Sequence, residues 1–214
     1  MGYDNQLTAA KRRRWEIYLH DYRLPQWEDI PDFGLYMEQV LTLLRQYLDY
    51  LPPELKEEQF ITAATINNYV RNRFMPEPCR KKYYRVHIAY LIMICTLKQT
   101  LSIATLRSMI PIGISETEVR KIYSNYVELH RLAAEYFIRE VRAAAGPILK
   151  HESNDFAISV AETSDLIAVT AVIGGLSRLL AEKLLLLEGR TLETYPKSAL
   201  EVPHPKDAKS SPEG

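Results

Sequence analysis

The chain has little cysteine, little glycine and no excess of charge of either sign. Its two cysteines, Cys79 and Cys95, cannot supply a disulfide framework, and the polar N-terminus up to Lys11 carries no secretory pattern. A reducing, cytoplasmic setting is the expectation. The five histidines, at positions 20, 87, 130, 151 and 204, stand without ligand spacing, so no zinc site is expected. Eight glycines form neither a phosphate-cradling loop nor a nucleophile elbow, which argues against an enzyme and leaves no cofactor to expect. Lys and Arg total 27 and Asp and Glu 27, a balance that excludes a wholly basic chain of histone or ribosomal type. The longest apolar run, Leu166 to Leu187, is broken by Arg178, Glu182 and Lys183 and falls short of the roughly 18 to 20 uncharged residues that span a bilayer. It reads as a buried or partner-facing helix, with no membrane among the partners.

What the chain does have is 47% hydrophobic residues over 214 positions, enough for a substantial core, and a very uneven local charge. Residues 1–25 carry +2, 26–60 carry −6, 61–110 carry +7 and 111–214 carry −3. Positive charge therefore gathers between residues 61 and 110, as an electrostatic footprint for phosphate requires.

The N-terminal segment, 1–34, holds the basic run Lys11-Arg12-Arg13-Arg14, followed by Trp15, Tyr18, Tyr22 and Trp27. The run fits a phosphate-binding arm, but the helical spacing of the aromatics favours an amphipathic helix packed on the body. A helix from about Leu35 to Tyr50 offers Leu35, Val40, Leu43, Leu44, Tyr47 and Leu48 to a core before Pro52 and Pro53 stop it. Ser115-Glu116-Thr117-Glu118 is a capping box that starts a helix running to Ala145, ahead of Gly146-Pro147. Along it Val119, Ile122, Tyr126, Leu129, Ala133 and Tyr136 alternate three and four apart like a coiled-coil seam, then drift to Phe137 and Val141. These six are the dimer-interface candidates. Tyr123, Tyr126 and Tyr136 also suit the lining of an effector pocket, with packing the stronger reading. A last helix is expected over Asn154 to Glu188, weakened at Gly174-Gly175, and the proline-rich tail 189–214 is expected to be disordered.

The stretch from Ile61 to Ile110 carries the chemistry. Thr62 stands where an N-cap belongs, and the helix Ala63 to Arg73 that it starts has two faces. Ala63, Ile66 and Val70 point inward, while Asn67, Asn68, Arg71 and Asn72 share the other side. Asn can pair with both major-groove atoms of adenine and Arg with both of guanine, so these four are the candidates for base contact. Pro76 and Pro78 stiffen the exit, and residues 71–85 hold six basic groups against the single acid Glu77. A rigid basic hairpin sets cations against a phosphate backbone. Thr62, Arg73, Arg80, Lys81, Lys82, Tyr84 and Arg85 are the candidates for phosphate contact. Cys79 adjoins cations that favour a thiolate, the setting of a redox sensor, but has no resolving partner nearby in sequence. Val86 to Leu97 is apolar on all sides and must be central to a core, and Ser102 caps Ile103 to Ile110. A solvated polar face and an idle basic loop are the plainer readings of the same residues.

This order of parts resembles the DNA-binding domain of MerR-type regulators. Thr62, Thr65-Ile66, Tyr69 and Phe74-Met75-Pro76 match its cap, helix and exit, Lys82-Tyr83-Tyr84 its wing, and Leu91, Ile94, Leu97, Ser102-Ile103 and Leu106 its following helices. Ala64, Asn67 and Asn68 stand where those regulators usually carry Arg, Arg and Tyr, His87 lies near their usual acidic position, and the wing has no Gly. The stretch from about Asp32 to Ile110 also resembles a family of Gram-positive bacterial proteins catalogued as domain of unknown function 1836, through LYMEQVLTLL, INNYV and KKYYRVHIAYLIMICTLKQTLSI. That resemblance brings no activity with it.

The expected fold is all-α: a MerR-like winged helix-turn-helix domain over 35–112, with at most a small β-wing at 76–84, followed by a long C-terminal helical hairpin over 115–188 for dimerisation and effector sensing. The expected function is a dimeric transcription regulator bound to double-stranded DNA, with an effector that is a small molecule or a protein. The alternative is a helical protein-interaction module, an adaptor or antirepressor, that keeps the scaffold without reading DNA sequence.

Overall fold

The computed structural model describes residues 4–50, 61–149, 163–185, 187 and 189–196. Among these the regular structure is helical, with no strand.

Asp4 starts the first helix, α1 (Asn5–Asp21): its carboxylate accepts the N–H groups of Gln6 at 2.8 Å and Leu7 at 3.1 Å, donors that a first turn leaves open. Trp15 anchors α1 to the body by meeting the Phe137 ring edge-on, 5.4 Å between centroids. The drift of the long-helix pattern toward Phe137 supplies this contact. Lys11 and Arg12 are buried too; Lys11 Nζ donates to the Tyr195 hydroxyl at 2.8 Å and Arg12 pairs with Glu16 at 2.6 Å. Half of the N-terminal basic run is thus internal, and the run packs instead of extending as an arm.

After a 3₁₀ turn at Trp27–Asp29 come α2 (Met37–Tyr47), α3 (Ala63–Arg71), α4 (Arg85–Leu97), α5 (Ile103–Met109), α6 (Glu116–Leu149) and α7 (Thr163–Leu185). The apolar α4 is the central element: every residue from His87 to Leu97 is buried, with α2, α5, α6 and α7 around it. The capping box of α6 forms as its residues require. Glu118 N donates to Ser115 Oγ at 3.3 Å, and the Ser115 hydroxyl at 2.7 Å and then Ser115 N at 2.9 Å donate to the Glu118 carboxylate, two bonds that hold its carboxyl below the ordinary range.

The helix does not end at Ala145. It continues through Gly146-Pro147 to Leu149, since a proline inside a helix forfeits one hydrogen bond but keeps helical φ. The expected start of the last helix at Asn154 falls outside the described residues, and α7 is continuous through Gly174-Gly175. These glycines sit where α7 crosses the end of α4, each within 3.5 Å of a Gln99 or Thr100 carbon as judged from the missing Cβ, and Thr100 Oγ1 donates to the Ala171 carbonyl at 2.9 Å.

Four of the six seam residues, Val119, Tyr126, Leu129 and Ala133, lie in the chain's own core, and Ile122 and Tyr136 are half-buried. The helices α1, α4 and α7 cover the face that a second subunit would have needed. Tyr123 and Tyr126 are core residues as well, their hydroxyls bonded to the Pro25 carbonyl at 2.8 Å and to Thr96 Oγ1 at 2.6 Å. Residues 189–196, expected to be disordered, pack back on α1: Tyr195 is buried against Leu7 and Leu187. Besides the Lys11 bond to the Tyr195 hydroxyl, Leu192 N donates to Asp4 Oδ2 at 3.3 Å, so the segment is tied to the start of α1 at two points. The remainder of the tail, from 197, lies outside the described residues.

Candidate nucleic-acid interface

The helix α3 begins as its residues dictate, with Thr62 Oγ1 accepting the Thr65 N–H at 3.1 Å. Ile66 and Tyr69 turn inward and are buried, while Asn67, Asn68, Arg71 and Asn72 are exposed. The exposed side is ordered by its own bonds: Arg71 Nη2 and Asn72 Nδ2 both donate to Asn68 Oδ1, at 2.9 and 2.7 Å. Asn68 Oδ1 would have to exchange these partners before accepting from a base.

The end of α3 is a complete Schellman motif. The Phe74 N–H reaches the Tyr69 carbonyl at 2.8 Å, the Arg73 N–H reaches the Val70 carbonyl at 3.0 Å, and the Phe74 and Tyr69 rings meet edge-on at 6.4 Å. The left-handed position in this motif is usually glycine; here it is Arg73, with φ 55°. Buried Met75 then anchors the loop. His87 pins it from below, its Nδ1 accepting the Tyr84 N–H at 3.0 Å and its Nε2 donating to the Glu77 carbonyl at 3.0 Å.

The hairpin is one tight turn. Lys82 N donates to the Cys79 carbonyl at 2.9 Å, and the two residues between, Arg80 and Lys81, have φ 49° and 65°, the pattern of a type I′ turn that normally takes Asn-Gly. Among the described residues, the non-glycine positions with left-handed φ are Arg73, Arg80 and Lys81. All three are exposed cations. Each carries a backbone cost of about 1 to 2 kcal/mol that glycine would not.

In place of a wing of strands, the hairpin pairs through a single bridge with a distant segment. Leu35 and Tyr83 exchange both backbone hydrogen bonds, each 2.8 Å, and turn their side chains into the core. Their neighbours face outward. Lys82 Nζ lies 5.4 Å from the centre of the Tyr36 ring, and a Cβ on Gly34 would come within 2.8 Å of Lys82 Cδ and 3.1 Å of Tyr84 Cζ.

Most of the candidate contact residues share this region, but two are engaged elsewhere. Arg73, Arg80, Lys81 and Tyr84 are exposed and Lys82 is half-exposed. Arg85 instead turns inward, its Nε donating to the Ile30 carbonyl at 2.7 Å and its guanidinium lying 5.9 Å from the centre of a Trp27 ring. Thr62 spends its hydroxyl on the cap. Two further cations stand beside α3: Lys98 lies over Tyr69 at 5.5 Å and Arg107 over Phe74 at 5.9 Å. Cys79 is exposed, and Cys95 is buried, where loss of solvent pushes its thiol up to about 12.

Residues 25–127 match the family model of a domain of unknown function, DUF1836. No curated protein and no solved structure matches the chain. The DUF1836 match takes in the 3₁₀ turn, α2 to α5, the hairpin and the first part of α6, and it encloses the stretch from Asp32 to Ile110 that carries the sequence resemblance. The α1 and α7 helices, which pack on this unit, lie outside it.

Sequence reasoning did not reach Phe33, Tyr36, Lys98 or Arg107. Phe33 and Tyr36 sit in an acidic segment about fifty residues before the hairpin, and no periodicity announces a one-residue bridge. Lys98 and Arg107 were countable in the +7 segment, but their placement over Tyr69 and Phe74 depends on how α4 and α5 pack.

Proposed function

We propose that the DUF1836 segment binds double-stranded DNA, with Asn67, Asn68, Arg71 and Asn72 of α3 facing base edges and Arg73, Arg80, Lys81 and Lys82 against phosphates, and that the chain regulates transcription through this contact. The observation that supports it best is the trio of strained cations: Arg73, Arg80 and Lys81 occupy left-handed positions that glycine or asparagine would fill at lower cost. Stability alone does not account for cations there. An anionic partner does, and the six-to-one excess of basic over acidic residues in 71–85 suits a phosphate backbone. A pseudo-palindromic operator would take two copies. They would meet through a surface other than the Val119 to Tyr136 seam, most of which is inside the core.

The test is a titration of the full chain against mixed-sequence duplex over a range of salt. Affinity should fall steeply with salt, and replacing Arg80 by Asn with Lys81 by Gly should reduce the log–log slope by roughly two while leaving the fold at least as stable. Absence of binding at low salt, together with a stoichiometric protein partner, would replace this reading by the protein-interaction module.

A further inference from the structure

Five large hydrophobic residues are exposed among those described: Ile17, Phe33, Tyr36, Tyr84 and Leu192. Two of the five, Tyr36 and Tyr84, meet at one place. In an antiparallel pairing residues directly opposite one another point to the same side, so the Leu35–Tyr83 bridge sets Tyr36 opposite Lys82 and Gly34 opposite Tyr84 on its outer side. The observed contacts agree: Lys82 lies over the Tyr36 ring, and the Lys82 stem and the Tyr84 ring close over the bare Cα of Gly34. Tyr36 is 57% exposed and Tyr84 37%. The strained cations Arg80 and Lys81 form the tip of the same hairpin. Single exposed apolar residues are ordinary, but aromatic rings gathered around lysine and arginine are not explained by packing.

We propose that this outer face, Tyr36 and Tyr84 with Lys82 between them, is a stacking platform for unpaired nucleobases, and that the nucleic acid bound by this protein is locally opened where it meets the hairpin. Flat rings accept any base by its π-face, while the adjoining cations hold the backbone that carries it. Charge complementarity selects this occupant over an apolar protein segment, because the rings cannot be covered without also approaching Arg80, Lys81 and Lys82. Gly34 is part of the device: any side chain there would displace Lys82 and Tyr84. The inference rests on nucleic-acid binding and adds what α3 does not supply, a preference for DNA that is open beside the duplex.

The experiment compares two labelled duplexes of one sequence, fully paired and with a three-base bubble, titrated with the full chain by fluorescence anisotropy at fixed salt. The bubble should bind about tenfold more tightly, the scale of one stacked base. Tyr36→Ala should remove that preference without changing the salt slope. Tyr36→Trp should keep it, with tryptophan emission quenched by the bubble and much less by the paired duplex. Equal affinity for both duplexes, unaffected by Tyr36→Ala, overturns the platform and leaves the duplex-binding reading standing. Failure to bind either duplex at low salt overturns both, and retention of polyglutamate in that case would assign the surface to an acidic protein.

Discussion

Gly34 is a position where one methyl group changes the geometry of the whole hairpin. Its missing Cβ would lie 2.8 Å from Lys82 Cδ, 2.9 Å from Lys82 Cβ and 3.1 Å from Tyr84 Cζ. The lysine tip can swing aside, but the Cβ beside the backbone cannot. Gly34→Ala should therefore destabilise the protein by about 1 to 3 kcal/mol, the usual cost of overpacking, and lift Lys82 off the Tyr36 ring. Urea denaturation measures this directly, and an unchanged midpoint would count against the close approach. At Gly174 the same substitution meets nothing nearer than 3.5 Å, so it should be tolerated. Two glycines of similar appearance in the sequence thus differ through what lies opposite them.

At the scale of elements, α3 sets local strain against surface chemistry. Arg73 in the left-handed position costs about 1 to 2 kcal/mol, whereas a glycine there would cost roughly 0.5 to 1 kcal/mol in extra unfolded-state freedom. The strain is the larger of the two, so Arg73→Gly should raise stability by up to about 1 kcal/mol while weakening affinity for duplex DNA. A loss of stability would mean that the Arg73 side chain holds the fold. Several elements were legible in the residues themselves. The caps Thr62, Ser102 and Ser115 start α3, α5 and α6 where they should, and the uninterrupted apolar run makes α4 the centre of the core. The seam of α6 was legible as an apolar stripe but not as to its partner, because a three-four spacing says that a face is covered and not by which chain. For Val119, Tyr126, Leu129 and Ala133 the cover is internal.

For the molecule as a whole, the buried tyrosines and His130 tie the N-terminal half to the long helices. His130 packs among Tyr22, Tyr50 and Tyr126, with ring centroids 5.7 to 6.3 Å away, and its Nε2 has no hydrogen-bond partner. Burial lowers its pKa from 6.5 to about 4. In that window the unfolded chain binds a proton that the folded one does not, so stability rises with pH between about 4 and 6.5 and falls as acid is added. The shift corresponds to roughly 3 kcal/mol lost on going from neutral pH to below pH 4. Between pH 7 and pH 4 the denaturation midpoint of the natural chain should fall more steeply than that of His130→Phe. Parallel curves for the two proteins would show that His130 does not carry the acid sensitivity.

Helix starts, the central apolar helix and the clustering of cations between residues 61 and 110 follow from the residues in order, because capping, periodicity and charge act over a few positions along the chain. The meeting of Leu35 with Tyr83, the inward turn of Arg85 and Lys11, and the gathering of Tyr36 and Tyr84 beside the basic turn do not. Each joins positions far apart in the chain through packing, and packing depends on which surfaces are free to meet once every helix has found its neighbours. The candidate interface is accordingly half local and half tertiary: its charge is written in one short segment, and its aromatic face exists only in the fold.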